Sequence, residues 1–173
     1  MFKKVVFALV LFVVSAQTQA QKSRKDSTNY LRWANPLTFT DELLSFAQNH
    51  LHLRYRSGGT SPRGFDCSGF VYFCFKNFGL PLPHSSAAQG LLGANIPTEA
   101  AQPGDLIFFK GHNAKSSRIG HVGIVTEVTD QSIKFIHSAW NGGVRYDFLH
   151  SDYYRKRYVG VRRVIGFVNP FQR

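Results

Sequence analysis

The periodicity of this chain changes at Pro103-Gly104. Ahead of that pair, apolar residues recur at helical spacing. Thr40-Asp41-Glu42 supplies a capping hydroxyl and acids for a first turn, and Leu43, Leu44, Phe46, Ala47 and Leu51 form one apolar face. A second helix is expected from Asp66 or Cys67 to about Asn77, stopped at Gly79 with Pro81 and Pro83 beyond, followed by a short helical turn around Ser85 to Leu91. After the pair, Leu106 to Phe109, Val122 to Val128, Ile133 to His137, Val144 to Phe148 and Tyr158 to Val168 are rich in β-branched and aromatic residues and read as strands. Helices first and strands later predict an α+β fold, with N-terminal helices packed on a central antiparallel β-sheet.

The N-terminus carries a different message. Lys3 and Lys4 precede an apolar run from Val5 to Val14, and Thr18-Gln19-Ala20 offers small residues for cleavage, which is the pattern of a secretory signal over residues 1–20. The run is too short to span a bilayer comfortably, and no cysteine follows it for lipid attachment, so no stable membrane anchor is expected after cleavage. Residues 21–39 read as a polar leader and 40–173 as the folded domain; the roughly 150 residues after the signal suffice for one full core. Removing residues 1–20 takes away two lysines and no acid, lowering the formal charge from +11 to +9. Such a domain suits anionic polymers. Its basic residues are scattered, apart from Arg155 to Arg163, which reads as a strand with a solvated basic face, so no nucleic-acid partner is expected.

The chemistry begins in a glycine-rich loop. Tyr55 to Gly69 runs through Gly58-Gly59 and Pro62 to Asp66-Cys67-Ser68-Gly69, which places Cys67 where a helix starts and makes Asp66 its N-cap. A thiol attacks only as thiolate, and a helix N-terminus stabilises that form. Cys74 lies seven positions further, roughly 10 Å away on one helix, whereas a disulfide needs less than about 7 Å between Cα atoms. It is read as a core residue among Phe70, Val71, Phe73, Phe75 and Phe78. The cysteine spacing does not match a zinc site, and neither metal nor cofactor is expected.

A thiol nucleophile needs a base, and the base an orienting partner. His50 and His52 end the first helix and read as structural, His112 falls in the polar loop Gly111 to Gly120, and His150 borders a turn. His121 and His137 are coupled by geometry. A register centred on Thr129 sets them opposite each other, on one face of an antiparallel pair. Gly123 shares that face and marks a close approach, assigned to the N-terminus of the cysteine helix. Cys67, His121 and His137 then form nucleophile, base and orienter. Tyr55 offers a phenol donor for an oxyanion, beside a helical backbone N–H. Asp66 beside the thiol raises its pKa by charge alone, so it serves as cap and as a holder of a substrate amine rather than as the base.

In this order, Tyr55 with Gly58-Gly59, Phe65-Asp66-Cys67-Ser68-Gly69-Phe70, Gly79-Leu80-Pro81-Leu82-Pro83, Ser86 and Gln89, Pro103-Gly104-Asp105-Leu106-Ile107-Phe108-Phe109, His121-Val122-Gly123-Ile124-Val125 and Phe135-Ile136-His137-Ser138-Ala139 resemble the NlpC family of papain-like cell-wall peptidases. The resemblance covers about Asp41 to Val168. It implies the papain-like NlpC-type fold, and a murein endopeptidase that forms a thioester acyl-enzyme. It also implies Cys67 as nucleophile, His121 as general base and acid, His137 as its orienter, Tyr55 in the oxyanion hole, and Asp66 and Ser68 holding the substrate peptide. Peptidoglycan stem peptides are the expected partner, the periplasm or cell envelope the expected location, and a monomer the expected state. His84 stands where many relatives carry arginine, and the loop Gly111 to Gly120 is longer and more basic than a minimal version. Two other readings share some of these features: a CHAP-type amidase cutting between muramic acid and the first alanine, and an inactive wall-binding module.

Overall fold

A proline opens the first helix, α1 (Pro36–Gln48), where a helix requires no backbone donor. The computed structural model describes residues 36–166; the expected signal segment, and the leader up to residue 35, lie outside them. Helix α1 therefore starts inside the segment read as leader, and Thr40 sits within it rather than at its cap. The physical reason is Phe39. Together with Leu43 and Ala47 it forms a fully buried stripe at four-residue spacing, which extends the apolar face one turn earlier.

A small hairpin, β1 (Thr60–Ser61) and β2 (Gly64–Phe65), leads into α2 (Cys67–Asn77). Asp66 is in extended conformation and accepts the Gly69 N–H at 2.6 Å, the cap that the sequence calls for. Gly79, at φ 86°, ends the helix. The motif glycines have a steric reason. A Cβ on Gly69 would overlap the Gly59 carbonyl oxygen, and one on Gly59 would overlap that of Gly64, so hairpin and helix start are in backbone contact. Phe70, Val71, Cys74 and Phe75 form the fully buried face of α2, each large side chain worth roughly 1.5–3 kcal/mol of burial.

A short helix, α3 (Ser86–Gln89), is capped by Ser85. Six strands follow: β3 (Ala94–Ile96), β4 (Leu106–Lys110), β5 (Ile119–Val128), β6 (Ile133–Ala139), β7 (Gly143–Phe148) and, after the helical turn α4 (Asp152–Arg155), β8 (Tyr158–Arg163). They form one antiparallel sheet in the order β3-β8-β4-β5-β6-β7, with α2 packed on β5 and β6. One cluster joins Ile107, Phe109, Val125, Ile133, Phe135 and Val161 of the sheet to Ala101 and Tyr154. The fold is α+β, as expected. Arg163 departs from the solvated face assigned to it: its guanidinium grips the buried Asp105 at 2.8 and 2.9 Å.

The β5–β6 register differs from the sequence expectation by two residues. Ile124 pairs with Ile136 and Val125 with Phe135, so the same register continued sets Gly123, not His121, across from His137. The turn spans Thr129 to Ser132 and is closed by the Thr129 N–H on the Ser132 carbonyl, and a bulge interrupts the ladder between Val125 and Glu127. A shift of two keeps the side chains on their expected face. Gly123 is explained differently as well. A Cβ there would stand 2.8 Å from the Phe135 ring and 3.2 Å from His137 Cβ, so the close approach comes from β6 and not from the cysteine helix.

Candidate active site

Cys67 is the first residue of α2, at the positive end of the helix. Burial and the adjacent Asp66 charge push its thiol up to about 11, against the N–H groups of Ser68, Val122 and Cys67 itself, which favour the thiolate. Val122 lies in β5, so the thiol sits against the residue that follows His121. Cys67 and Cys74 are both free thiols, and Cys74 is fully buried in the core.

Burial, and then the neighbouring His137, hold His121 down at about 3, with Asp147 acting in the opposite sense. Both effects favour the uncharged forms, a thiol and a neutral imidazole. Although not directly opposed, the two histidines meet along the diagonal, which cross-strand neighbours with long side chains can span. His121 Nε2 lies 2.7 Å from His137 Nδ1, the ring planes are close to perpendicular at 89°, and Nδ1 of His121 remains available. His137 is completely buried.

Beyond His137 the chain of polar contacts continues. Asp147 Oδ2 lies 2.8 Å from His137 Nε2, accepts from Arg145 Nε at 2.8 Å, and accepts from the Tyr154 hydroxyl at 3.0 Å. Burial alone would raise the Asp147 carboxyl, but His137, Arg145 and Tyr154 draw it below the ordinary value, so it is charged at neutral pH. Sequence reasoning missed these three residues. The alternation of β7 does place Arg145 and Asp147 on one face. Nothing local says that this face is His137's, or that Tyr154 arrives from α4.

Around the helix start, Asp66 is heavily engaged. Oδ1 accepts from the Gly69 N–H and from the Ser68 hydroxyl at 3.2 Å, and Oδ2 accepts from the Gly58 N–H at 3.0 Å. His84 Nε2 lies 3.1 and 3.0 Å from the two oxygens. Ser68 is buried with its hydroxyl turned to Asp66, and Gln89 Nε2 ties α3 to the Ser68 and Pro83 carbonyls. Tyr55 bridges to Phe65, and burial, then the charges of Cys67 and Asp66, raise its phenol, so it shares the electrostatic neighbourhood of the thiol. Cys67, Tyr55, Asp66 and Ser68 thus gather at one end of α2, and His121 with His137 forms the facing strand pair. Among the described residues, no group of three or more His, Cys, Asp or Glu is placed to hold a metal ion.

Comparison with known proteins gives this arrangement a lineage. A probable endopeptidase of Haemophilus influenzae is 40% identical over 111 residues, which cover 64% of this chain and 65% of that protein. A murein DD-endopeptidase MepS/murein LD-carboxypeptidase of Escherichia coli is 36% identical over 115 residues, 66% of this chain and 57% of that protein. The crystal structure of a NlpC/P60 family protein from Bacillus cereus superposes with a TM-score of 0.65 at 34% identity, covering 73% of this chain and 40% of that one. The chain spans less than two thirds of the length of these curated relatives. The NlpC/P60 family model matches residues 52–163, and the chain belongs to the NlpC/P60 family.

Proposed function

We propose that this chain is a murein endopeptidase, hydrolysing an amide bond in peptidoglycan stem peptides or their cross-links through a thioester on Cys67. The observation that carries this reading is the His121–His137 contact at 2.7 Å, which leaves Nδ1 of His121 free while the thiol packs against the next residue, Val122. In the forward step His121 Nδ1 takes the Cys67 proton as Sγ attacks the carbonyl carbon. The Cys67 N–H and the Tyr55 phenol receive the developing oxyanion. His121 then returns the proton to the leaving amine, and the C–N bond breaks to give the thioester. Water, deprotonated by His121, attacks the thioester and releases the carboxylate and the free thiol.

His137 holds the ring of His121 throughout, and the chemistry needs no metal or cofactor. Asp66 and Ser68 hold the substrate peptide; because both Asp66 oxygens face His84, an incoming substrate amine exchanges with that imidazole. The positive charge draws acidic stem peptides. The chain acts as a monomer in the periplasm or cell envelope, after cleavage of residues 1–20. No helix among the described residues is long and apolar enough to cross a membrane.

The match to NlpC/P60 favours an endopeptidase over the CHAP-type amidase. The test is purified protein, with Cys67→Ser as control, on defined uncross-linked and cross-linked muropeptides. Thiol-dependent cleavage within the peptide is expected, with a loss of roughly 10⁴-fold or more in the variant. Intact stems released free of sugar would instead make it an amidase, and no product from either substrate would leave only a wall-binding role.

A further inference from the structure

We infer that Asp147, clamped by Arg145 and Tyr154, is a positioning residue that sets the tautomer of His137 and, through it, keeps Nδ1 of His121 free of a proton. The inference deepens the proposed cysteine-peptidase reading and rests on it for its kinetic consequence.

The tautomers follow from which atoms have protons to give. Three groups converge on one oxygen, Asp147 Oδ2: the Arg145 guanidinium, the Tyr154 hydroxyl and His137 Nε2. An ionised carboxylate only accepts, so His137 Nε2 must carry the hydrogen in that contact. The Tyr154 hydroxyl, 3.3 Å from the same nitrogen, donates to the carboxylate and can take a second share of that N–H. A neutral His137 with its hydrogen on Nε2 has a bare Nδ1, which acts as an acceptor. The 2.7 Å contact then requires His121 to donate from Nε2. A neutral His121 protonated on Nε2 has a bare Nδ1. Two imidazoles thus transmit the acceptor character of one carboxylate to the nitrogen that must receive the thiol proton.

The reverse arrangement shows what the clamp prevents. With hydrogen on Nδ1 of His137, the 2.7 Å contact would force His121 Nε2 to accept. The remaining hydrogen of a neutral His121 would then sit on Nδ1, blocking it as a base. Among the described residues, the ring nitrogens of His137 meet only His121, Asp147 and the Tyr154 hydroxyl, and the rest of the fully buried ring is apolar in its contacts, with Phe135 tilted against it at 5.0 Å and the Tyr154 ring T-shaped to it at 5.5 Å between centroids. Arg145 and Tyr154 matter because they hold Oδ2 in place and keep the carboxyl ionised.

The experiment combines long-range proton–nitrogen NMR of the histidine rings with kinetics on muropeptides, for the wild type, Asp147→Leu and Asp147→Asn. In the wild type, His137 is expected to carry its hydrogen on Nε2. Asp147→Leu removes the acceptor, so His137 shifts toward the Nδ1–H form and kcat falls at least about 10–100-fold with KM unchanged, the scale on which a carboxylate behind a metal-ligating histidine acts. Asp147→Asn still offers an oxygen to Arg145, Tyr154 and His137, and retains the tautomer and most of the activity. A merely structural role would lower the melting temperature without moving the ring nitrogens. Hydrogen on Nδ1 of wild-type His137, or unchanged tautomers and kcat in Asp147→Leu, overturns the inference. The wild-type spectrum is decisive even where the leucine variant does not fold. An inactive wild type with His137 protonated on Nε2 would defeat the peptidase reading while leaving the tautomer assignment standing.

Discussion

The two sides of the site are built by different means. Around Cys67 the support is local: a glycine hairpin in backbone contact with the helix start, and Asp66 capping that helix while binding Gly58 and Ser68. Around His121 it is tertiary, a line of polar contacts that crosses from β5 to β6, to β7 and then to α4. Each side contains one carboxylate, and the two have opposite effects. Asp66 stands beside the thiol and disfavours its ionisation, whereas Asp147 stands beyond the second imidazole and favours a positive charge on His121. In the proposed reaction, charge separates only when a substrate is present. Burial and then Asp66 favour the protonated thiol at rest, and Asp147 steadies the proton once it has moved.

The largest loss is expected from cutting the histidine side at its centre. His137→Ala removes the partner of His121 and is expected to lower kcat by about 10²–10⁴-fold, the range of a positioned acid–base group, with little change in KM. His137→Gln can still present an oxygen to His121 and an amide to Asp147, and should recover part of the loss. Equal activity in wild type and both variants, measured on one muropeptide, would mean that His121 needs no support from the sheet.

What the sequence revealed follows the same division. Helix α2, its cap and its cysteine were legible because their signals are local: Asp66 at the cap, Gly79 past the end, glycines before the start. The face shared by His121 and His137 was legible in its outcome, because the turn and the bulge together move the register by two residues, an even number. Their register was not. It depends on a turn that sets Val128 opposite Ile133 and on a bulge between Val125 and Glu127 that shifts the pairing back by one, neither of which a residue type announces. Strand β3 was missed because Ala94-Asn95-Ile96 has no strand pattern of its own and is extended only by pairing with β8. The same holds for Asp147 and Arg163. A charged residue on a strand reads as solvated until the fold supplies its partner, here His137 for one and Asp105 for the other.

A smaller effect sharpens the nucleophile side. Burial, and then the negative charge of Asp66, raise the Cys67 thiol to about 11, so Asp66→Asn should lower its titration in part while an asparagine still caps the helix. The sign is fixed by charge: removing an anion beside a group that ionises to an anion eases that ionisation. Thiolate absorbance near 240 nm, followed against pH with Cys67→Ser as blank, measures it. The wild type should show almost no thiolate at neutral pH, with the variant curve displaced toward acid. A wild-type thiolate already formed at neutral pH would mean that the pair rests as thiolate and imidazolium, and that Asp66 does not govern it.

The smallest expected change separates the two cysteines that share α2. Cys74 is fully buried two turns into the helix, where burial raises its thiol, and no disulfide joins it to Cys67. Its sulfur fills space in the core, so Cys74→Ala should cost about 1 kcal/mol of stability, the usual scale for removing one small buried group. The activity on muropeptides should be unchanged. In the wild type, a thiol reagent at moderate pH should label Cys67 far faster than Cys74, since only Cys67 is partly exposed and touched by helix-end amides. Loss of activity in a folded Cys74→Ala variant would show that the far end of the helix governs where Cys67 stands. The nucleophile side would then depend on core packing as heavily as the histidine side depends on the sheet.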